Sequence, residues 1–384
     1  MSTTDRPSAV PSDGWLELAD AERAARAALP ADVWDFLAGG SGAETTLAAN
    51  RAALDAVTLV PRVLAGAPSA HTGTDLFGAR LTMPVAIAPM AYQRLFHPEG
   101  ELAAACAAEA AGVPFVAGML NSHPVERIAG ACAATWFQLY WLRDRAAVAD
   151  LVIRAEEAGC RALLLTVDVP RMGRRLRDMR NGFALPPTVT ADNLAAGAPA
   201  SAHAGAPGRS AVMVHTAEAF DPALGWADLA WLRERTRLPL VLKGVLHPDD
   251  AARAAGLGID GLVVSNHGGR QLDGAVPSAA VLPAIRDAVA GRSRVLVDSG
   301  IRSGLDVLRA LALGADGVLL GRPALWGLAA DGRHGVARVL SLLRAELEEA
   351  MLLAGCPDLP AAACLDRRVG AFRSATADDG TGRP

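Results

Sequence analysis

Residues 260–273 read Asp-Gly-Leu-Val-Val-Ser-Asn-His-Gly-Gly-Arg-Gln-Leu-Asp, and the run changes character partway along. Its opening is the short β-type apolar stretch of a buried strand, and the remainder is a glycine loop. A proton carrier, His267, and a fixed cation, Arg270, therefore stand together where a strand ends. Imidazole titrates near neutrality and a guanidinium fork matches a carboxylate, so the pair can hold an anion and remove a proton beside it.

Working outward, further runs of the same kind lie at 84–88, 113–117, 135–139, 161–167, 238–243, 294–298 and 316–320. Helical-type segments alternate with them at 99–111, 124–129, 143–158, 226–236, 248–256, 279–290, 303–313 and 335–353, several closed by a glycine such as Gly159, Gly291 or Gly314. Eight β/α alternations predict a parallel (β/α)8 TIM barrel. The competing fold is an open doubly wound sheet, which calls for a Gly-x-Gly-x-x-Gly after the first strand that this chain lacks. Residues 1–83, with helical stretches at 20–28 and 31–38 and a β-like 56–61, are expected to form an N-terminal helical extension and barrel cap. The barrel domain then spans 84–366, with a long, weakly periodic insertion at 184–225 after the fourth strand, and 367–384 is expected to be a flexible tail.

A chain of 384 residues that is 51% hydrophobic and 20% charged fills a large core. Its net charge of −4, without a basic stripe, argues against nucleic acid as a partner. No apolar run reaches the ~18 residues of a membrane span. The opening Met-Ser-Thr-Thr-Asp-Arg lacks the apolar core of a secretion signal. Five scattered cysteines without a Cys-x-x-Cys pair fit free thiols in a cytoplasmic protein, and the eight histidines show no metal-ligand spacing.

Catalytic groups of such barrels gather at the C-terminal ends of the strands. The rare residues of this chain sit there. Lys243, the one lysine among 37 basic side chains, ends the fifth run, and the two tyrosines, Tyr92 and Tyr140, follow the first and third. Asp298-Ser-Gly-Ile-Arg302 and Gly321-Arg322 follow the seventh and eighth, where barrels commonly bind phosphate: Gly300 and Gly321 permit close backbone approach, and Arg302 or Arg322 neutralises the charge. A lysine facing whatever that phosphate anchors suits the N1–C2=O edge of a flavin, with a Schiff-base lysine as the alternative. Gln138, Thr166 and the backbone at Pro89, Met90 and Ala91 are candidates to bond the ring's polar edge. Asp168 can orient His267 as a base or simply cap a turn, and Tyr140 can bond a substrate oxygen or merely occupy the rim.

The motifs Ser265-Asn-His-Gly-Gly-Arg-Gln-Leu-Asp273, Thr166-Val-Asp-Val-Pro-Arg171, Leu242-Lys-Gly244, Phe137-Gln-Leu-Tyr140, His97-Pro-Glu-Gly100 and Gly321-Arg-Pro323 resemble those of the FMN-dependent α-hydroxy-acid oxidases and dehydrogenases. The likeness runs from about Leu29 to Cys356. It implies FMN as cofactor, a small 2-hydroxy acid and O2 as reactants, and a homotetramer. Residue by residue, it makes His267 the base, Asp168 its partner, Arg270 and Arg175 the carboxylate clamp, and Tyr140 the group beside the substrate oxygen. Lys243 falls at flavin N1, and Pro89, Met90, Ala91, Gln138, Thr166, Ser265, Asp298, Gly300, Arg302, Gly321 and Arg322 in the FMN shell.

Two positions depart from the family pattern. Phe36 stands where a tyrosine usually helps hold the carboxylate, and Gly118 where a serine contacts the flavin. At Phe36, at Tyr92-Gln-Arg and at Met179-Arg-Asn-Gly-Phe-Ala-Leu185 the chain resembles the members that oxidise hydroxymandelate, which implies an aryl (S)-2-hydroxy acid as substrate. Against an O2-using oxidase stand a quinone-linked dehydrogenase, an FMN-dependent isomerase on the same barrel, and a non-catalytic flavin binder. Residues 189–215, small and mixed, lack the apolar character of a membrane-binding segment, and Ala91 resembles the oxidases' alanine.

Overall fold

The computed structural model describes residues 11–194 and 211–370. Helices α1 (Leu18–Ala28), α2 (Ala31–Ala38) and α3 (Thr45–Asp55) come first, then strand β1 (Val57–Leu59) and the hairpin β2 (Thr74–Leu76)–β3 (Ala79–Leu81). Eight parallel strands follow: β4 (Val85–Ile87), β5 (Val116–Gly118), β6 (Trp136–Leu139), β7 (Leu163–Thr166), β8 (Leu240–Val245), β9 (Gly261–Val264), β10 (Arg294–Val297) and β11 (Gly317–Leu320). They lie in the order β4-β11-β10-β9-β8-β7-β6-β5, and a parallel bridge between Ile87 and Phe115 closes the ring. This is the predicted (β/α)8 barrel.

Outside the strands run α4 (Gly100–Ala111), α5 (Val125–Ala131), α6 (Arg145–Glu157), α7 (Leu176–Arg180), α8 (Ala211–Ala219), α9 (Trp226–Arg233), α10 (Pro248–Gly256), α11 (Ser278–Val289), α12 (Gly304–Ala312), α13 (Arg322–Leu353) and α14 (Leu359–Ala363). The strands read as unbroken apolar runs because both faces are covered. Ala86, Val116, Trp136, Leu164, Val241, Val263, Leu296 and Leu319 fill the barrel, while Val85, Phe137, Leu163, Leu165, Leu240, Leu242 and Val264 pack in the larger core with the helices.

Five features differ from expectation. Helix α3 carries only two large apolar residues, Leu47 and Leu54, so its sequence shows little periodicity, and the β2–β3 hairpin has strands of three residues each, too short to register. Its turn places Phe77 (φ 48°) and Gly78 (φ 74°) in the left-handed region and inserts the Phe77 ring edge-on to Trp136, 5.2 Å between centroids. The insertion after β7 contains α8, and α13 begins at Arg322 rather than near 335, bending at Asp331 and Gly332. Arg367–Val369, assigned to the tail, instead form strand β12, antiparallel to β1; the rest of that tail lies outside the described residues.

Candidate active site

Side chains alternate along a strand, so two residues above each barrel-filling position lies another inward one. Trp136, Leu164, Val241, Val263 and Leu296 are thus followed by Gln138, Thr166, Lys243, Ser265 and Asp298. One layer is carbon and the next is polar. Within the polar layer Gln138 Nε2 donates to Thr166 Oγ1 (2.9 Å), and Lys243 Nζ reaches Ser265 Oγ (3.1 Å) and Asp298 Oδ2 (3.0 Å). Burial opposes the charge on Lys243, but Asp298 and Asp168 outweigh it and hold the ammonium above its ordinary value.

Strand β8 slips register between Lys243 and Val245. There Gly244 adopts φ 111°, and a Cβ on it would come 2.5 Å from Asp168 Cγ. A glycine is needed to leave room for that carboxylate. Asp168 in turn accepts from His267 Nδ1 (3.1 and 3.3 Å), which leaves His267 Nε2 for the cavity. Burial would raise the Asp168 carboxyl, yet His267 and Lys243 prevail and lower it. Burial also depresses His267, Asp168 opposing and Lys243 adding to the effect. The resting pair is a carboxylate and a neutral imidazole, which can accept a proton.

Every polar member of the Ser265–Asp273 loop has an observed task. His267 takes the left-handed conformation (φ 59°), and its N–H donates to Ser265 Oγ (3.0 Å). Asn266 exchanges amide hydrogen bonds with Asn50 of α3 (2.9 and 2.6 Å), tying the turn to the N-terminal extension. Gln271 donates to the carbonyls of Asp168 and Arg171 (2.9 and 3.0 Å), and Asp273 caps the start of α3 through Thr45 and Thr46.

A cavity open to solvent connects these groups. At one end Arg175 and Arg270 face Phe36, whose ring centre lies 5.9 and 5.3 Å from their guanidinium carbons. Asp298, Gly300, Arg302, Gly321 and Arg322 also line it, around the N-terminus of α13, and the Arg322 guanidinium shares the Gly39 carbonyl with Arg270. None of these four arginines forms an ion pair among the described residues. Arg270 donates to the carbonyls of Phe36 and Gly39, and Arg322 to those of Leu37, Gly39 and Gly268, so the carbonyl end of α2 organises both. Burial, with Arg270 adding to it, pushes Arg175 down to about 9, and burial pushes Arg302 down to about 10; both stay charged at neutral pH. Charge desolvated without a counterion is costly, so these guanidinium groups suit anionic ligands.

Of the residues expected at the site, Pro89, Met90, Ala91, Tyr140, Lys243, His267, Arg270, Arg175, Phe36, Asp298, Gly300, Arg302, Gly321 and Arg322 line this cavity. Asp168 and Ser265 are not in its lining but bond to His267 and Lys243, which are; Gln138 and Thr166, bonded to each other, are not in its lining either. Sequence reasoning missed the apolar roof: Met172, Val212, Thr216 and Phe220, of which Phe220 stacks on Tyr140 at 4.6 Å. Three of these lie in the 184–225 insertion, whose alanine-rich sequence gave no sign of a face. At Gly118 the carboxamide of Asn121 closes the gap: a Cβ there would meet Asn121 Oδ1 at 2.9 Å and Gln138 Oε1 at 3.4 Å.

A parallel barrel whose strand tops carry arginines and glycines at a helix N-terminus, a lysine in the polar layer and a His–Arg pair suits a flavin enzyme acting on an anionic substrate. Residues 25–365 match the FMN-dependent dehydrogenase family, and the chain belongs to it. The chain is 56% identical to 4-hydroxymandelate oxidase of Amycolatopsis orientalis over 93% of its own length and 99% of the relative's. It is 46% identical to L-lactate oxidase of Nostoc sp., covering 90% and 95% of the two chains. Among solved structures, mandelate oxidase with (S)-4-hydroxymandelic acid superposes with a TM-score of 0.91, at 56% identity and covering 93% and 99%. FMN is accordingly the cofactor, and oxidation of a 2-hydroxy acid the reaction class.

Proposed function

We propose that this chain oxidises an aryl (S)-2-hydroxy acid, mandelate or 4-hydroxymandelate, to the 2-oxo acid and passes the two electrons to O2, releasing H2O2. The observation that carries it is the set of arginines without ion-pair partners along one cavity, Arg175 and Arg270 beside Phe36 and Arg302 and Arg322 at the N-terminus of α13, together with a neutral imidazole on the same wall.

Bound FMN supplies the two-electron acceptor. Its phosphate would lie against Arg302, Gly300, Gly321 and Arg322, and its ring against Lys243, Gln138, Thr166, Ser265, Asp298 and the backbone of Pro89, Met90 and Ala91. The unpaired cations and the glycine-lined α13 terminus fit that group. Arg175 and Arg270 clamp the substrate carboxylate, and Tyr140 meets the oxygen of the carbon being oxidised. His267 Nε2 takes one proton while Asp168 holds the ring and stabilises the imidazolium. Phe36, stacked on Phe183 at 4.5 Å, gives the cavity an aromatic wall, and burial of an aryl ring against it gains ~25 cal/mol per Å2.

Among the described residues no helix is long and apolar enough to cross a membrane. The free cysteines suit a reducing compartment, so we place the enzyme in the cytoplasm, and the family resemblance supports a homotetramer. Anaerobic mixing of the holoenzyme with (S)-mandelate, 4-hydroxymandelate, lactate and glycolate tests the proposal: the aryl acids should bleach the flavin fastest, and O2 should restore it with H2O2 formed stoichiometrically. Bleaching by none of them, or quinone reduction with negligible O2 uptake, overturns it.

A further inference from the structure

The tyrosines of the strand tops occupy different surroundings. Tyr140 lies within electrostatic reach of Lys243, Asp168, Arg175 and Arg270, at the reacting end of the cavity. Tyr92 also lines the cavity, and the ionisable group that acts on it is Tyr140. Around it the same wall is apolar, with Phe36, Phe96 and Leu120.

The Tyr92 hydroxyl is sealed from solvent and bonds to nothing in the protein. Buried phenols nearly always find a partner, so an unsatisfied one in a ligand cavity marks a group that the ligand brings. The other hydroxyl on the apolar wall, Thr216, is already satisfied by the carbonyls of Val212 and Met213 (2.9 and 3.2 Å). Nor is the backbone of Tyr92 relaxed: it takes φ 57°, rare for a bulky residue, and is pinned by its N–H donating to the Leu120 carbonyl (3.0 Å). The ring is held where it is.

We infer that Tyr92 is a specificity-determining residue whose hydroxyl hydrogen-bonds a polar substituent on the substrate's aromatic ring. This rests on the aryl-acid reading above and deepens it: the cavity selects a ring hydroxyl as well as the ring.

Phenylacetate and 4-hydroxyphenylacetate, which carry the carboxylate and ring but no oxidisable carbinol, separate the two ideas. Titrated into the oxidised holoenzyme and followed by flavin absorbance, 4-hydroxyphenylacetate should bind more tightly. Tyr92→Phe should abolish that preference, a shift of up to about tenfold in the ratio of Kd values, and leave phenylacetate unchanged. The ratio of kcat/KM for 4-hydroxymandelate over mandelate should fall by the same factor. An unchanged ratio in Tyr92→Phe overturns the inference, as does equal weakening of both ligands, which is what a merely structural tyrosine would give. Should neither aryl acid bind wild type while lactate or glycolate bleaches the flavin, the aryl reading itself falls and takes the inference with it. Because the variant keeps the ring, an unaltered melting temperature and flavin spectrum certify its fold.

Discussion

At the N-terminal mouth of the barrel the Phe77 ring stands edge-on to Trp136, and the strand residues beneath it are apolar. Two positions higher on the same strands lie Gln138, Thr166, Lys243, Ser265 and Asp298, and above them cations without counterions. The lower end is packed by the chain's own apolar side chains; the upper end presents arginines that no carboxylate of the described residues pairs with. Substitutions should therefore separate cleanly: below, they should cost stability and spare turnover, and above, the reverse.

The largest effect is expected at His267. His267→Gln should lower kcat/KM by about 10³-fold or more, the scale of a lost general base, with the melting temperature nearly unchanged. In wild type, burial depresses the imidazole, so it is deprotonated throughout the neutral range. The acid limb of kcat/KM should then lie below the ordinary histidine value of ~6.5. Removal of Asp168, which raises the imidazole, should move that limb lower still. A limb above pH 7 in wild type would contradict the resting neutral histidine.

Arg175 sharpens the contrast because it is buried, unpaired and partly unbonded, its Nε lacking any partner. Arg175→Met should raise KM by about 10²-fold or more through loss of a buried charge pair with the substrate. The ligand-free protein should nonetheless melt no lower, since an uncompensated charge is replaced by a packed apolar chain. A clear drop in melting temperature would show that Arg175 stabilises the fold, and the separation of the two ends would fail.

The opposite test is Phe77→Asn. Asparagine suits the positive φ of a two-residue hairpin turn, so the turn is retained while the ring is lost. Stability should fall by about 2 kcal/mol, less than a fully buried Phe would cost, with kcat unaltered. A changed kcat would mean that the floor of the barrel transmits to the polar layer.

How much of this was legible depended on repetition. The eight strands and the residues at their tops repeat one pattern, a buried apolar run followed by glycine or a polar group, and each repeat supports the others. Lys243 could be placed because it is the lone lysine and ends such a run. The hairpin bearing Phe77 has no such support, since a three-residue strand carries too little pattern. The roof residues Val212, Thr216 and Phe220 were hidden because their apolar face is set by what the helix covers, not by its own alternation. Nor does spacing disclose that Arg322 spends three of its N–H groups on the carbonyls of Leu37, Gly39 and Gly268; that depends on where α2 ends in space.

The smallest expected effect lies at Gly118, which occupies the polar layer without a side chain. Gly118→Ala would bring a Cβ within 2.9 Å of Asn121 Oδ1, so the carboxamide must yield. Neither amide atom of Asn121 has a partner to lose, and the displacement costs steric strain only, about 1 kcal/mol. Gln138 stands at 3.4 Å from the same point and holds both Thr166 and the Met119 N–H. If Asn121 alone moves, FMN dissociation should change by less than about threefold and the flavin spectrum should keep its shape. A shift of tenfold or more, or a displaced flavin band, would show that the strain passes into Gln138. The polar layer would then behave as one coupled unit rather than as independent positions on separate strands.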